Sequence, residues 1–244
     1  MIKVTYKDHM GSDLSVVNAA RVSFGKESHF MDDQVQELDM GTWSGSIPVL
    51  SARDEKLVGY LAKHKHMSPF GHCFASFHVK APIFVARQLV KHKFLRWNEI
   101  SRRYVDDEPE FYSPKVWRGR SDDKKQGSSE EIVEITPFWD WQGGFACDGP
   151  WTGFYQLCED YYDHLLSCGV APEQARMVLP QSTMTEWWWS GSLDAFADMC
   201  YLRCKEDTQY ESRLVANQIS ELMKKLFPVS WDALLGETND CTKR

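Results

Sequence analysis

The sequence predicts a mixed α/β domain: a central, mainly antiparallel sheet flanked by helices, with a helical C-terminal half. Residues 73–79 alternate between two sets of side chains, as a strand with one buried face does. The last third instead repeats apolar residues at helical spacing, in the set Phe154, Leu157, Tyr161 and Leu165. Packing such helices against a sheet buries both apolar surfaces.

The N-terminal elements follow in order. Residues 2–6 alternate in polarity and predict a short half-buried strand. Residues 18–23 predict a short helix that runs into a turn, and residues 25–50 are polar and contain glycine, which indicates a loop. Ser51 is suited to cap the next helix, because its hydroxyl can accept a hydrogen bond from a backbone N–H.

The period of the pattern changes after the central strand. Pro82 is well placed as the first residue of a helix, where a missing N–H costs no intrahelical bond. We expect this helix to reach about Lys93, with an apolar stripe made by Ile83, Ala86 and Val90.

The second half begins with a long irregular segment. Residues 105–150 are rich in Asp, Gly, Pro, Ser and Trp, which predicts a loop that is either functional or partly disordered. Pro172 begins a helix that Pro180 should end, Ser192 is suited to cap the next helix, and residues 214–223 belong to a final long helix.

Length, composition and charge limit the classes of function. We treat residues 1–244 as a single domain with loop insertions near 25–50 and 117–148. A hydrophobic content of 43% supports a sizeable core. The net charge of −7 disfavours a protein that binds nucleic acid through bulk charge.

Cysteine usage and hydropathy address the compartment. The seven cysteines are odd in number and contain no CxxC pair, which indicates reduced thiols. No apolar run approaches the roughly 18–20 residues of a membrane span. Because the N-terminus does not resemble a targeting peptide, we expect a cytoplasmic protein with no membrane partner.

The densest polar cluster lies in residues 87–104. Gln88 shares a helix face with Lys91 and His92, and the nearby Ser101 and Arg103 supply groups that bind phosphate. A solvated basic helix followed by a loop is the alternative interpretation. The mixture of amide, hydroxyl and carboxylate groups among the cations, directly after a strand–proline–helix junction, favours a specific site.

Two arginines form a second set, far away in the sequence. Arg176 and Arg203 each lie in an apolar segment, where an unpaired guanidinium would be costly to bury. Each therefore needs a partner: an internal carboxylate, a ligand phosphate or a pyrimidine carbonyl. The sequence leaves these alternatives open.

Three histidines, His64, His66 and His72, form a third cluster. Their spacing matches no zinc signature, and no pattern of cysteines or carboxylates accompanies them, so we expect no metal site. A turn in which His66 touches a ligand ring is more plausible, while His72 and His78 fit a capping or core role.

Taken together, the clusters resemble the flavin-dependent thymidylate synthases. That family carries Arg-His-Arg, seven residues, and then Ser. The corresponding sequence here is Lys91-His92-Lys93, seven residues, and Ser101. Further segments that resemble the family's sequences are residues 19–23, 66–72, 77–88, 98–104, 175–180 and 202–211. The resemblance covers most of the chain but not the loops near 25–50 and 117–148.

The resemblance implies the reductive methylation of deoxyuridine monophosphate (dUMP) to dTMP. It implies FAD as cofactor, with NADPH and methylenetetrahydrofolate as co-substrates. It further implies a homotetramer whose active sites are shared between subunits, and no nucleic-acid partner.

The resemblance also implies roles for individual residues. The residues implied for dUMP are Gln88, Lys91, Glu99, Ile100, Ser101, Arg102, Arg103, Arg176 and Arg203. Those implied for FAD are Ser68, Lys91, His92, Lys93, Glu99, Ser192, Asp194 and Asp198, and those on the folate side are His66 and Tyr104. Arg203, at the uracil ring, Ser101 and His92 are the implied catalytic residues, with Ser101 as an orienting group and not a nucleophile.

Several positions depart from the family pattern. Lys91 and Lys93 keep the charge of arginine but lose its planar fork. Arg102 stands where a small residue is usual, so its side chain must turn away from the nucleotide or make a new contact. Ser192 and Asp198 stand where other members often carry Asn, and an Asp beside a flavin phosphate would be unfavourable.

Three other functions compete with this one. A flavin-dependent pyrimidine hydroxymethylase would use the same binding residues. A nucleic-acid-binding domain would use residues 87–103, with Phe94, Trp97 and Tyr104 stacking on bases, but the net charge argues against it. A non-catalytic flavoprotein would bind flavin without turnover.

Overall fold

The computed structural model describes residues 1–31, 35–41, 44–105, 107–121, 128–135 and 152–236. The strands are β1 Lys3–Met10, β2 Val35–Asp39, β3 Ser44–Pro48, β4 Phe74–Pro82, β5 Leu95–Glu99, β6 Trp117–Arg120, β7 Ser128–Val133 and β8 Met184–Ser192. The helices are α1 Asp13–Arg21, α2 Ala52–Lys63, α3 Ile83–Leu89, α4 Thr152–Ser167, α5 Pro172–Ala175, α6 Leu193–Arg203, α7 Tyr210–Leu226 and α8 Pro228–Leu235. Short 3-10 turns cover Val22–Phe24, Ser68–His72 and Arg176–Val178.

The main sheet has the order β1-β4-β8-β5, and each neighbouring pair is antiparallel. In β4 the side chains of Ala75, Phe77 and Val79 are buried, as the alternation predicts. The ring of Phe77 meets that of Phe196 in α6 edge-on, with centroids 5.2 Å apart. The predicted fold class, an antiparallel-rich sheet flanked by helices, is confirmed.

Strand β8 lies beside β4, and sequence analysis did not predict it. Trp187 and Trp189 are buried while Trp188 is 45% exposed, so three successive tryptophans hide the alternation of a strand. A Cβ on Gly191 would stand 2.3 Å from the side chain of Leu95 in β5. Glycine at this position therefore allows β5 to approach β8 closely.

The helices pack beside the sheet. Among them, α1 near the N-terminus contacts α8 at the end of the described chain. The long helix α7 buries Val215, Ile219 and Met223, which confirms the predicted final helix. Helix α8 was not predicted. The buried carboxylate of Asp13, at the start of α1, accepts hydrogen bonds from two backbone N–H groups at the start of α8.

The predicted starts of the helices are confirmed more often than their ends. Ser51 caps α2, with its hydroxyl accepting from the Asp54 N–H at 3.3 Å. Ser192 occupies the N-cap position of α6, although its side chain makes no capping bond. Pro82 is the N-cap of α3 and not its first residue. The predicted end of α3 at Lys93 is also wrong, because the helix stops at Leu89.

Two predicted apolar stripes are wrong in phase. Helix α3 buries Val85, Ala86 and Leu89, whereas Val90 is 48% exposed. In α4 the predicted stripe is largely exposed, with Leu157 at 48%. Apolar periodicity therefore marked these helices without identifying their core side.

Both segments predicted as loops contain hairpins. Strands β2 and β3 pair within residues 25–50, and β6 and β7 pair within residues 105–150. Residues 106, 122–127 and 136–150 of the second segment lie outside the described residues. Among the residues with described structure, no helix combines the length and apolar character that a membrane crossing needs.

Candidate active site

A cavity of about 1180 Å³ lies between α3, the end of α6, the start of α7 and the β6–β7 hairpin. It brings together three predicted site residues: Gln88, Lys91 and Arg203. The other lining residues are Phe84, Tyr112, Pro114, Val116, Trp117, Arg118, Ser128, Phe154, Tyr155, Pro180, Gln181, Ser182, Leu202, Lys205, Asp207, Thr208, Gln209 and Glu211.

The amide of Gln88 is fixed on both sides. Its oxygen accepts a hydrogen bond from the Ser212 hydroxyl at 3.0 Å, and its nitrogen donates to the side-chain oxygen of Gln209. Both partners lie where α7 begins. The first turn of α7 therefore determines which atoms of Gln88 face the cavity.

Arg203 is the last residue of α6. Its hydrogen-bond partner, His92, lies more than 100 positions away in the sequence. The Arg203 Nε donates to Nε2 of His92 at 2.9 Å. Burial, together with the adjacent Arg203 charge, lowers the pKa of His92 to about 4. His92 is therefore neutral at pH 7 and can accept this bond.

The guanidinium of Arg203 keeps further donors for a ligand. Within the described ranges, only its Nε forms a hydrogen bond. Among the described residues, the partner of Arg203 is an imidazole and not a carboxylate. Lys91 is exposed at the edge of the same cavity, and Lys93 is exposed beyond it.

Four other predicted nucleotide residues line a second cavity of about 220 Å³: Glu99, Ile100, Arg102 and Arg176. The two oxygens of Glu99 accept from Thr185 Oγ1 at 2.7 Å and from Trp97 Nε1 at 3.0 Å. Residues 87–104 therefore form two sites within one chain and not one.

The arginines of this second cavity behave differently from each other. Arg102 donates to the backbone oxygen of Asp107 at 2.7 Å. Arg176 was expected to be buried in an apolar face, but it is exposed, and its Nε donates to the backbone oxygen of Glu173 at 3.3 Å. No carboxylate of the described residues forms an ion pair with Arg176. The 3-10 turn Arg176–Val178 directs this residue outward.

Ser101 and Arg103 lie together at the surface. The Ser101 hydroxyl accepts from Nε of Arg103 at 3.2 Å and from its backbone N–H at 3.4 Å. The guanidinium of Arg103 also lies 5.0 Å from the ring of Tyr104, which is 78% exposed. A hydroxyl, a guanidinium and an open surface are thus available to an anion.

Three residues implied for FAD, Ser68, Ser192 and Asp194, lie at the other end of α6, and Asp198 lies near its middle. The Leu193 N–H donates to the Cys73 oxygen, directly after the turn Ser68–His72, so Ser68 and the start of α6 belong to one region. From Asp194 to Arg203 the helix rises roughly 14 Å at 1.5 Å per residue. The residues implied for FAD are therefore distributed over both ends of this helix.

The start of α6 carries negative charge. The Oδ1 atom of Asp194 is buried and has no partner among the described residues. Partial burial, with the neighbouring Asp194 charge, raises the pKa of Asp198. His66 is exposed, with its ring 6.0 Å from that of Tyr60.

Sequence analysis missed three cavity residues that interact with one another. Glu211 is buried and pairs with Arg118 at 3.0 Å, and it accepts from the Tyr112 hydroxyl at 3.4 Å. Burial and the Glu211 charge raise the pKa of Tyr112 to about 12. Arg118 fell inside a predicted loop, so no local signal connected it with Glu211.

No group of three or more His, Cys, Asp and Glu side chains in the described ranges is placed to hold a metal ion.

Comparison with known sequences gives a specific family. A sequence model of the thymidylate synthase complementing protein family matches residues 6–229. A flavin-dependent thymidylate synthase of Thermus thermophilus is 34% identical over 226 residues, which are 93% of this chain and 73% of that relative. The Kosmotoga olearia enzyme of the same name is 35% identical over 93% of this chain and 86% of its own length.

Solved structures are also similar to this chain. A UMP/dUMP methylase, PolB from Streptomyces cacaoi, was solved with bound 5-Br dUMP. It aligns with a TM-score of 0.71 and 29% sequence identity, over 96% of this chain and 94% of its own. Its complex with 5-Br UMP aligns with a TM-score of 0.68 and 26% identity.

Proposed function

Because the chain belongs to the thymidylate synthase complementing protein family of flavin-dependent thymidylate synthases, we propose that it methylates carbon 5 of dUMP in the larger cavity. One observation carries the proposal. Gln88, Lys91 and Arg203 line one cavity, and neutral His92 holds Arg203 through Nε alone. This arrangement presents amide, ammonium and guanidinium donors to a ligand that is rich in carbonyl and phosphate oxygens.

Arg203 is the residue that we assign to the uracil ring. Its terminal nitrogens donate to a ring carbonyl oxygen and stabilise the negative charge that develops there when carbon 5 becomes nucleophilic. His92 keeps the guanidinium oriented because it is neutral and accepts from Nε. Gln88 adds a fixed amide to the same wall.

Ser101 and Arg103 are assigned to the phosphate, and Arg176 is assigned to the same nucleotide. These three residues are not in the lining of the cavity that contains Arg203. We therefore propose that a second copy of the chain supplies them, in a homotetramer with shared sites.

Lys91, His92 and Lys93 are the residues that would hold a flavin. The two lysines are exposed, and no carboxylate of the described residues pairs with them, which suits the diphosphate of FAD. A bound flavin would supply the hydride and one-carbon relay that the side chains cannot provide.

The start of α6 suits another part of that cofactor. Asp194 and Asp198 are unfavourable neighbours for a phosphate, but the buried oxygen of Asp194, which has no partner among the described residues, would accept from a hydroxyl or an amine. Ser192 and Ser68 provide hydroxyls in the same region. We propose that this end of α6 faces a ribose or adenine and that Lys91 and Lys93 face phosphate.

Folate and the reductant complete the proposed set of ligands. His66 and Tyr104 are both exposed, and they remain the residues proposed for the folate side. NADPH is the proposed reductant, and the cytoplasmic location stays a prediction.

The test is turnover by the purified chain with dUMP, FAD, NADPH and methylenetetrahydrofolate. We expect visible flavin absorption, release of tritium from carbon 5 of labelled dUMP, and dTMP as the product by mass spectrometry. A hydroxymethyl product would instead identify the hydroxymethylase. A yellow protein that releases no tritium would contradict both enzymes.

A further inference from the structure

The β6–β7 hairpin forms one wall of the larger cavity. Trp117, Arg118 and Ser128 line it from this hairpin. The hairpin begins the 117–148 segment, which the family motifs quoted above do not cover. This wall therefore carries contacts that the motifs did not predict.

Arg118 connects the hairpin with helix α7. It pairs with Glu211 at 3.0 Å, and its Nε donates to the Ser128 hydroxyl on the opposite strand at 2.8 Å. Its guanidinium also lies 4.0 Å from the ring of Tyr210. The side chains of Arg118 and Glu211 are only 20% and 8% exposed, so solvent screens the pair weakly.

The same turn of α7 that receives Arg118 also holds Gln88. Glu211 lies between Gln209 and Ser212, the two residues that fix the Gln88 amide. A displacement of Glu211 would therefore move the partners of Gln88. This gives a continuous set of contacts from the hairpin to a proposed nucleotide ligand.

The charges of the cavity lead to the same residue. Four cations line it, Lys91, Arg118, Arg203 and Lys205, against the two carboxylates Asp207 and Glu211. Without Arg118, the buried carboxylate of Glu211 would lose its ion-pair partner and would repel an anionic nucleotide. Arg118 therefore acts on the site both by geometry and by charge.

We infer that Arg118 is a positioning residue of the nucleotide site: through Glu211 it holds the hairpin wall, the first turn of α7 and the Gln88 amide in place for dUMP. The inference rests on the proposed function, because it names dUMP as the ligand. Its structural half, the attachment of the hairpin by Arg118, is independent of any ligand.

The test compares Arg118→Met with the matched control Arg120→Met in the flavin-loaded protein. Arg120 lies on the same strand, is exposed and is not a lining residue. For Arg118→Met we expect the Kd and KM for dUMP to rise about tenfold or more while kcat changes less than about threefold, as loss of a charged hydrogen bond that positions substrate predicts. Arg120→Met should match wild type, and Arg118→Lys should recover part of the affinity, because it restores charge without the planar fork.

A ligand-free measurement separates this inference from the proposed function. Hydrogen exchange of the amides in β6 and β7 should quicken in Arg118→Met and not in Arg120→Met. If wild type fails to bind dUMP, the proposed function falls, and the role of Arg118 toward dUMP falls with it. If wild type binds dUMP and Arg118→Met binds it equally well, or if the control weakens it as much, only the inference is overturned.

A double variant covers the case in which Arg118→Met does not fold. Arg118→Met with Glu211→Gln removes both charges and leaves no unpaired buried carboxylate. We expect it to fold and to bind dUMP more weakly than wild type, because the hairpin is still detached. Affinity equal to that of wild type would overturn the inference.

Discussion

Replacing His92 tests how much its hydrogen bond to Arg203 contributes to catalysis. In His92→Ala the Arg203 guanidinium loses the partner that it contacts at 2.9 Å, and within the described residues it gains no other. A hydrogen bond that involves a charged group contributes about 1.5–3 kcal/mol. If that free energy keeps Arg203 aligned on the uracil, kcat/KM for dUMP should fall about 10- to 150-fold.

The matched variant is His92→Gln. Glutamine supplies an uncharged oxygen that can accept from Nε of Arg203, so we expect it to retain activity within about fivefold of wild type. Because His92 is also assigned to the flavin, each rate is divided by the bound flavin, measured from its visible absorption. If His92→Ala keeps wild-type kcat/KM per bound flavin, or if His92→Gln is as impaired as His92→Ala, His92 does not hold Arg203.

The remaining predictions concern the uracil, the flavin, acid stability and the packing of α8. Arg203→Ala should abolish dTMP formation while circular dichroism and oligomer size stay unchanged, and near-normal turnover would count against the assignment. Lys93→Arg should retain flavin through purification at least as well as wild type, because a planar fork suits a diphosphate. The pKa of His92 is about 4 in the folded chain against 6.5 ordinarily, so the unfolded chain binds more protons between pH 4 and 6.5. As the pH drops from 6.5 to 4, the free energy of unfolding should therefore fall by about 1–2 kcal/mol, allowing for solvent screening. Urea titrations of His92→Gln should not show this pH dependence. Asp13→Ala leaves two buried backbone N–H groups without their acceptor and should lower the free energy of unfolding by about 1–3 kcal/mol, whereas Asp232→Ala, which breaks only an exposed pair, should cost less than about 1 kcal/mol.

The parts of the fold that local patterns predict are those whose two faces differ. Strand β4 was predicted because its buried and partly exposed side chains alternate regularly. Strand β8 was missed because Trp188 interrupts that contrast between Trp187 and Trp189. The phase of α4 was wrong because its repeated apolar residues, including Leu157, do not face the core.

In the candidate site, too, local sequence patterns do not predict which residues come together in the folded chain. The motif at residues 87–104 predicted Gln88 and Ser101 as residues of one site, but Phe94 adopts a left-handed backbone with φ of 64°, and β5 then begins at the next residue. Residues that are close in sequence therefore reach different cavities. Conversely, the contact of His92 with Arg203 joins distant positions, and no spacing rule predicts it.

A crystal of the flavin-loaded protein soaked with 5-bromo-dUMP gives the most direct test, because anomalous scattering locates the bromine on carbon 5. The account predicts the bromine in the larger cavity, with a uracil carbonyl within hydrogen-bonding distance of Arg203. It also predicts the phosphate beside Ser101 and Arg103 of a second copy. A nucleotide bound outside that cavity, with the Arg203 guanidinium still free of any ligand, would contradict it.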